Sequence, residues 1–400
     1  MNRLRVAVIA DFLEERWPSM DLVAEMLMDR LAREHHATID ATLVRPRLSA
    51  RLSRVSSHRM ALGFDRIAGR MYDYPRLVKS LAGRFDLFHV VDHSYSQLVH
   101  EVPCAQTIVT CHDLDTFRSV LEPNTEPRGI AFRAMTGRIL NGLRRAGHVA
   151  CDSFATRDQL VRSAGIPESK TSVVHNGSHP SCTIAPERGA DCEAARLLDG
   201  RRDAIVEEAS ARPITNLLHV GSTIERKRID VLLRVVAAIR RRNVSVRLVR
   251  VGGAFTASQA ASARDLGLGD SIIVPFVDRA TLSAIYRRCA LLLMTSEREG
   301  FGLPMVESLM CGTPVVASDI AALREVGGGA ATYCRVDDVE DWERKVCALL
   351  EERERSPREW ASRREAGVAR AESFNWSRYA AEIVDRYHQL AGRPGAGAAC

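Results

Sequence analysis

Residues 295–319 read TSEREGFGLPMVESLMCGTPVVASD. The run before them, Leu291-Leu292-Leu293-Met294, is short and apolar. That suits a strand buried on both faces of a parallel sheet. Gly300 and Gly302 flank Phe301, and glycine lets a backbone approach a ligand closely. Pro304 suits the first turn of a helix that runs to Met310, and Pro314 to Ala317 reads as the next strand. Strand, glycine loop, helix and strand together make one unit of a doubly wound α/β sheet. The helix start offers N–H groups near Leu303 and Met305 to an anion. Glu299 stands just before the helix and Glu307 one turn inside it. Carboxylates beside an anion site repel the anion unless they bind hydroxyls. A sugar nucleotide carries both a diphosphate and hydroxyls. The plain alternative is two surface acids at a helix start.

Working outward, the same alternation fills the chain. Arg5 to Ala10, Leu87 to Val91, Thr107 to Thr110 and Ser172 to Val174 read as strands, with a helix through Met20 to Leu31. The rhythm lapses over 177–210 and restarts at Leu217-Leu218-His219-Val220-Gly221. A helix over 229–240 follows, then strands at Val244–Val251, Ile272–Val274 and Leu291–Met294, with a helix over 281–288. The expected architecture is α/β, two tandem Rossmann-like doubly wound domains facing across a cleft. The expected limits are 1–185, a linker 186–212, 213–375, a C-terminal helix 376–391 returning to the first domain, and a tail 392–400.

The composition agrees with this size and class. The chain has 400 residues, 46% hydrophobic and 26% charged, too long for one ordinary core and too apolar for disorder. Its ten cysteines show no C-x-x-C spacing, so neither zinc nor a redox motif is indicated. No apolar run approaches the ~18 residues of a membrane span, and the first, Val6 to Ala10, is too short for a signal peptide. The expected location is the cytoplasm, with reduced thiols. The net charge of +6 is uneven: residues 45–84 hold ten basic groups against Asp65 and Asp73. This segment is either a solvated face or a surface for anionic lipid headgroups or a phosphorylated acceptor. No nucleic-acid motif accompanies it.

Two further clusters carry chemistry. His219-Val220-Gly221-Ser222 ends a strand and leads to Arg226-Lys227-Arg228 before a helix. Charge-assisted bonds from such groups grip phosphate oxygens and stabilise a departing diphosphate. His112-Asp113 directly follows the strand at 107, at the carboxyl end where ligands of such sheets bind. The i,i+4 pairs His89/His93 and His175/His179 fall on a strand and in a turn, which does not favour a metal site.

These motifs resemble those of the family 4 (group 1) glycosyltransferases of GT-B fold. The E-x7-E signature stands as Glu299 and Glu307, and Cys311 to Asp319 continues it. Val274-Pro275-Phe276-Val277, the His112-Asp113 pair, Asp152 to Leu160 and Val174-His175-Asn176-Gly177 also fit. The resemblance implies that Glu307 binds the ribose hydroxyls and that Glu299 contacts the donor sugar. Phe301, Gly302 and Leu303 would offer backbone N–H groups, with Gly221 and Ser222 beside the donor. Arg226 and Lys227 would neutralise the diphosphate, and His112 would lie near the transferred sugar. It implies a retaining, metal-independent hexosyltransferase with no cofactor. Its substrates would be a nucleotide-diphosphate sugar and a glycan or lipid-linked acceptor hydroxyl, in cell-surface polysaccharide or glycolipid biosynthesis. The 45–84 face would touch the anionic inner surface of a membrane; nucleic acid is not an expected partner. Two positions depart from the pattern. The first loop reads Arg16-Trp17-Pro18-Ser19-Met20 where many members carry Gly-Gly, and Ser222 stands where many carry Arg. The readings weighed against transfer are a sugar-nucleotide epimerase or a phosphorylase of the same architecture, and a non-catalytic sugar-nucleotide binder. A nicotinamide dehydrogenase is disfavoured because neither Val220-Gly221-Ser222 nor Val251-Gly252-Gly253 makes a G-x-G-x-x-G loop.

Overall fold

A computed structural model describes residues 3–15, 17–54, 59–199 and 214–392. The chain divides into two compact units, which change over at Asn176/Gly177 and again at Phe374/Asn375. The first unit holds six strands: β1 Leu4–Ile9, β2 Ile39–Val44, β3 Leu87–Val90, β4 Thr107–Cys111, β5 His148–Cys151 and β6 Thr171–Val173. They form one parallel sheet in the order β2-β1-β3-β4-β5-β6. The second unit holds β7 Thr215–Val220, β8 Val246–Val251, β9 Ile272–Val274, β10 Leu291–Met294, β11 Val315–Ser318 and β12 Thr332–Cys334. These are also all parallel, in the order β12-β11-β10-β7-β8-β9. Each sheet therefore reverses its strand order next to its first strand, and the reversal opens a crevice at the carboxyl ends.

The central strands are the apolar runs legible in the sequence. Every residue of β3, β4, β8 and β10 is buried, as parallel strands covered on both faces require. Three strands carry too little signal to be read in advance. The edge strand β2 buries only its two end residues, Ile39 and Val44, β12 is a three-residue edge, and β5 is four residues beginning with His148. The first core gathers Ile9, Val90, Val109, Val149 and Leu140. The second gathers Leu217, Leu233, Leu248, Leu293 and Trp342.

Helix Trp376–Leu390 joins the first unit, as expected. Its Tyr387 hydroxyl lies 2.7 Å from His89 Nδ1, and Ser377 Oγ donates to Glu34 at 2.8 Å. The expected domain limits need correction. The first boundary lies at 176/177 rather than 185, and the second at 374/375. The segment expected as a linker contains helix Arg188–Asp199, which buries Ala190, Ala194 and Leu198. Arg287 clamps it through Asp191 at 2.9 Å. The polar residues that broke the strand rhythm are its solvent face. Residues 200–212 of the expected linker and 393–400 of the expected tail lie outside the described residues.

Candidate active site

In the second unit, the carboxyl ends of β7 and β10 carry the expected residues. After β7 come Gly221 and Ser222, then a tight turn Glu225–Lys227. Arg228 follows in the left-handed region (φ 48°) and starts helix Ile229–Arg241. Arg228 is tied to Asp230, Glu297 and Asp337. Its two neighbours turn to Glu299 instead. Lys227 Nζ donates to Glu299 Oε1 at 2.5 Å and Arg226 to Oε2 at 3.2 Å. Ser296 Oγ adds a bond to Oε1 at 2.7 Å. All three ionic side chains are largely buried. Burial alone would raise the Glu299 carboxyl, but Lys227 and Arg226 outweigh it and hold it at about 2. Glu299 is therefore a buried carboxylate that stays ionised across the working pH range.

The loop behind it is shaped by Gly302, whose φ of 100° caps helix Leu303–Met310. A Cβ there would lie 2.7 Å from Leu323 Cδ2, so a side chain meets both strain and a clash. Phe301 is buried and packs edge-on against Phe374, centroids 5.6 Å apart. Of the helix-start N–H groups expected to meet an anion, that of Met305 donates to Gly302 O at 2.9 Å. Glu307 lies on the buried face and accepts from the Tyr286 hydroxyl at 2.9 Å. Burial raises its carboxyl above the usual range, only partly offset by Tyr286 and Arg279. The carboxyls of the two glutamates of one motif are thus shifted in opposite directions, down for Glu299 beside Lys227 and Arg226 and up for the buried Glu307.

In the first unit, Asp11, Asp92, His112 and Asp152 follow β1, β3, β4 and β5 at the same sheet edge, and all four are buried. His112 Nδ1 meets Asp152 Oδ2 at 2.6 Å, and Nε2 meets the Val91 carbonyl at 2.8 Å. Both partners are acceptors, so the ring carries two protons. Burial lowers it, but Asp152 prevails and raises it to about 9. A substrate would meet this imidazolium through its charge, since both ring nitrogens are already engaged. His89 is spent on Tyr387 and Thr110. Among the described residues, no group of three His, Cys, Asp or Glu side chains is arranged to hold a metal.

Tyr286 and Arg250 are site residues that sequence reasoning did not single out, and Asp152 stands there only as the first residue of a segment that fits the family, with no role. Tyr286, and the pairing of Asp152 with His112, become visible only through long-range contacts. Arg250 does leave a local trace, as one of two arginines in the otherwise apolar run VRLVRV before Gly252. Of the altered first loop, Arg16 lies outside the described residues, and Trp17 is exposed at the start of helix Pro18–Glu34.

Residues 214–352 match the model of the group 1 glycosyl transferases, and residues 22–181 that of glycosyltransferase family 4. The D-inositol 3-phosphate glycosyltransferase of Streptosporangium roseum is 28% identical over 331 residues, 76% of this chain and 69% of that protein. That of Segniliparus rotundus is 32% identical over 176 residues, 42% of this chain and 38% of its own length. That of Nocardiopsis dassonvillei is 30% identical over 249 residues, covering 58% of this chain and 57% of that protein. The chain therefore matches between 38% and 69% of the length of these three relatives. Among solved structures, sucrose-phosphate synthase from Thermosynechococcus elongatus superposes with a TM-score of 0.69 at 18% identity, over 98% of this chain and 100% of that one. HepE of Anabaena in complex with UDP-glucose gives 0.67 at 16% identity, over 97% and 100%. These two likenesses show the fold.

Proposed function

Because the chain belongs to the group 1 and family 4 glycosyltransferases, enzymes that transfer a sugar, we propose that it moves a hexosyl unit from a nucleotide-diphosphate sugar to a hydroxyl of a glycan or lipid-linked acceptor, with retention. One observation carries the donor side: a buried, ionised Glu299 held by Lys227 and Arg226 at the carboxyl ends of β10 and β7. Without donor, Glu299 is the anion these cations hold. A bound diphosphate shares them, and Glu299 is left to accept sugar hydroxyls. Glu307, braced by Tyr286, accepts from the ribose hydroxyls. As the bond to the diphosphate loosens, Lys227 and Arg226 stabilise the charge growing on the leaving oxygen, a contribution typically worth 10²–10³ in turnover for one such donor. The leaving diphosphate takes the acceptor's proton on the same face. No side-chain base is then required, and the cations supply the charge a metal would otherwise bring. UDP-glucose, the ligand named for HepE, is the first donor to test.

The acceptor side rests on the first unit. Part of the basic 45–84 segment is internal: Arg45 pairs with Asp21, and Arg70 with Glu15 and Ser94. Arg47, Arg54, Arg66 and Lys79 remain exposed. In the same segment helix Arg59–Ala68 exposes Met60, Phe64 and Ile67 at 75%, 52% and 54%. Cations next to exposed apolar side chains suit the surface of an anionic bilayer. No helix among the described residues is long and apolar enough to cross one. This supports a lipid-linked acceptor met at the cytoplasmic face of a membrane. The deciding experiment screens a nucleotide-sugar panel against lipid-linked acceptors in anionic vesicles. D-inositol 3-phosphate, the acceptor named for the curated relatives, serves as the soluble phosphorylated arm. Retained configuration in the product, read by NMR, supports the mechanism. Donor breakdown that needs no acceptor points to an epimerase, and no turnover with any donor refutes the proposal.

A further inference from the structure

The donor site leaves one buried charge unaccounted for. Arg250 lies in β8 and is fully buried. Its guanidinium donates to the carbonyl of Gly221 at 2.9 Å and to that of Gly253. It stands 5.3 Å from the centroid of the Phe255 ring. No described carboxylate pairs with it, and its Nε has no partner. Burial pulls it down to about 10, which leaves it charged at neutral pH. A desolvated cation without an anion is costly to bury. Two bonds to neutral carbonyls offset only part of that. A residue kept merely to staple two loops would do so more cheaply as a neutral donor.

Its surroundings suggest what the charge serves. Gly221 directly follows β7, and the position of its missing Cβ lies 3.6 Å from Lys227 Cε. Arg250 holds the carbonyl of that same residue, so a single glycine separates the two cationic chains. A Cβ on Gly252 would lie 2.4 Å from Gly221 O, so the loops after β7 and β8 touch through their backbones. His219 is pushed down to about 3, first by burial and then by Arg250 and Lys227. One ring therefore feels both charges. Arg226 and Lys227 both pair with Glu299, whereas no described carboxylate pairs with Arg250. The diphosphate of a sugar nucleotide brings negative charge to such a cluster of cations.

We propose that Arg250, pinned by the Gly221 and Gly253 carbonyls behind the phosphate loop, is a positioning residue that fixes this loop and adds positive potential at the donor's diphosphate. The proposal rests on the donor-site reading above. Its test compares the full chain with Arg250→Gln and Arg250→Lys by calorimetry. The ligands are UDP, GDP and ADP, then the monophosphate and the nucleoside of whichever diphosphate binds the unaltered chain. The expected result is about a tenfold loss of diphosphate affinity in Arg250→Gln, a smaller loss for the monophosphate and none for the nucleoside. Arg250→Lys keeps the charge and should stay within about threefold. Equal losses for all three ligands, or equal losses in both variants, make Arg250 a staple only and overturn the proposal. If Arg250→Gln does not fold, Arg250→Lys decides through the ratio of diphosphate to nucleoside affinity: a preserved ratio supports the proposal and a collapsed one refutes it. An unaltered chain that binds none of the diphosphates brings down the donor-site reading itself.

Discussion

Replacing Lys227 by alanine separates the catalytic reading from a structural one. The Lys227–Glu299 contact is 2.5 Å, with both side chains largely buried. Glu299 sits at about 2 against an ordinary 4.5, a difference of roughly 3 kcal/mol at 1.36 kcal/mol per unit. That figure is shared among Lys227, Arg226 and Ser296, working against burial. Arg226 and Ser296 remain in the variant, so its folding cost should be about 1–2 kcal/mol. This is well inside the 5–15 kcal/mol typical of a domain, so the chain should still fold. The effect on turnover should be larger, about 10²–10³ or roughly 3–4 kcal/mol, because the lost charge acts most strongly as the leaving group departs. A pH signature accompanies it. The folded-state value of Glu299 is depressed, so its contribution to stability is present above about 4.5 and is lost as pH falls toward 2. Without Lys227 that value climbs toward 4.5, so the acid-linked loss should be smaller and should end at a higher pH. Steady-state kinetics and urea unfolding at pH 7 and pH 4 measure both effects. Turnover within threefold of the unaltered chain, with the same acid dependence, would sink the assignment of Lys227 to the leaving group.

Three further variants probe the other contacts. Tyr286→Phe removes the bond to Glu307 Oε2, so the Glu307 carboxyl should rise further; donor KM should grow severalfold with little change in kcat. Unchanged nucleotide affinity by calorimetry, there or in Glu307→Ala, counts against Glu307 as the ribose contact. In the first unit, His112 is raised to about 9. Its contribution to stability is therefore complete below about 6.5 and lost as pH rises through 9. Asp152→Asn should bring the NMR titration of His112 down by more than one unit and flatten the stability profile between pH 6.5 and 9; an unmoved titration shows that another group holds that proton.

The legible part of this protein is the part written in short-range pattern. Buried parallel strands need unbroken apolar runs, so β1, β3, β4, β7, β10 and β11 stand out along the chain. The strands that escape notice are β2 and β12, at edges where one side meets water, and β5, which is only four residues. Helix Arg188–Asp199 is missed for a related reason. Its buried stripe is small, Ala190, Ala194 and Leu198, and polar residues fill the rest. The boundary at 176/177 coincides with the lapse of the strand rhythm at 177, but the ordered run Val174-His175-Asn176-Gly177 carries the chain across it, so the expected limit falls later, at 185.

The amino-acid sequence alone determined the doubly wound class, the glycine loop at 300–302 and the residue types placed at the ends of β7 and β10, because strand burial and helix starts depend on neighbours a few positions apart. Tertiary structure alone decided their charge states. Glu299 is ionised because Lys227 and Arg226, more than 70 residues earlier, lie against it; the Glu307 carboxyl is raised because burial outweighs Tyr286 and Arg279; His112 is charged because Asp152 and the Val91 carbonyl enclose it. A carboxyl or imidazole takes its protonation from groups within a few ångströms, and in this chain those groups are distant in sequence.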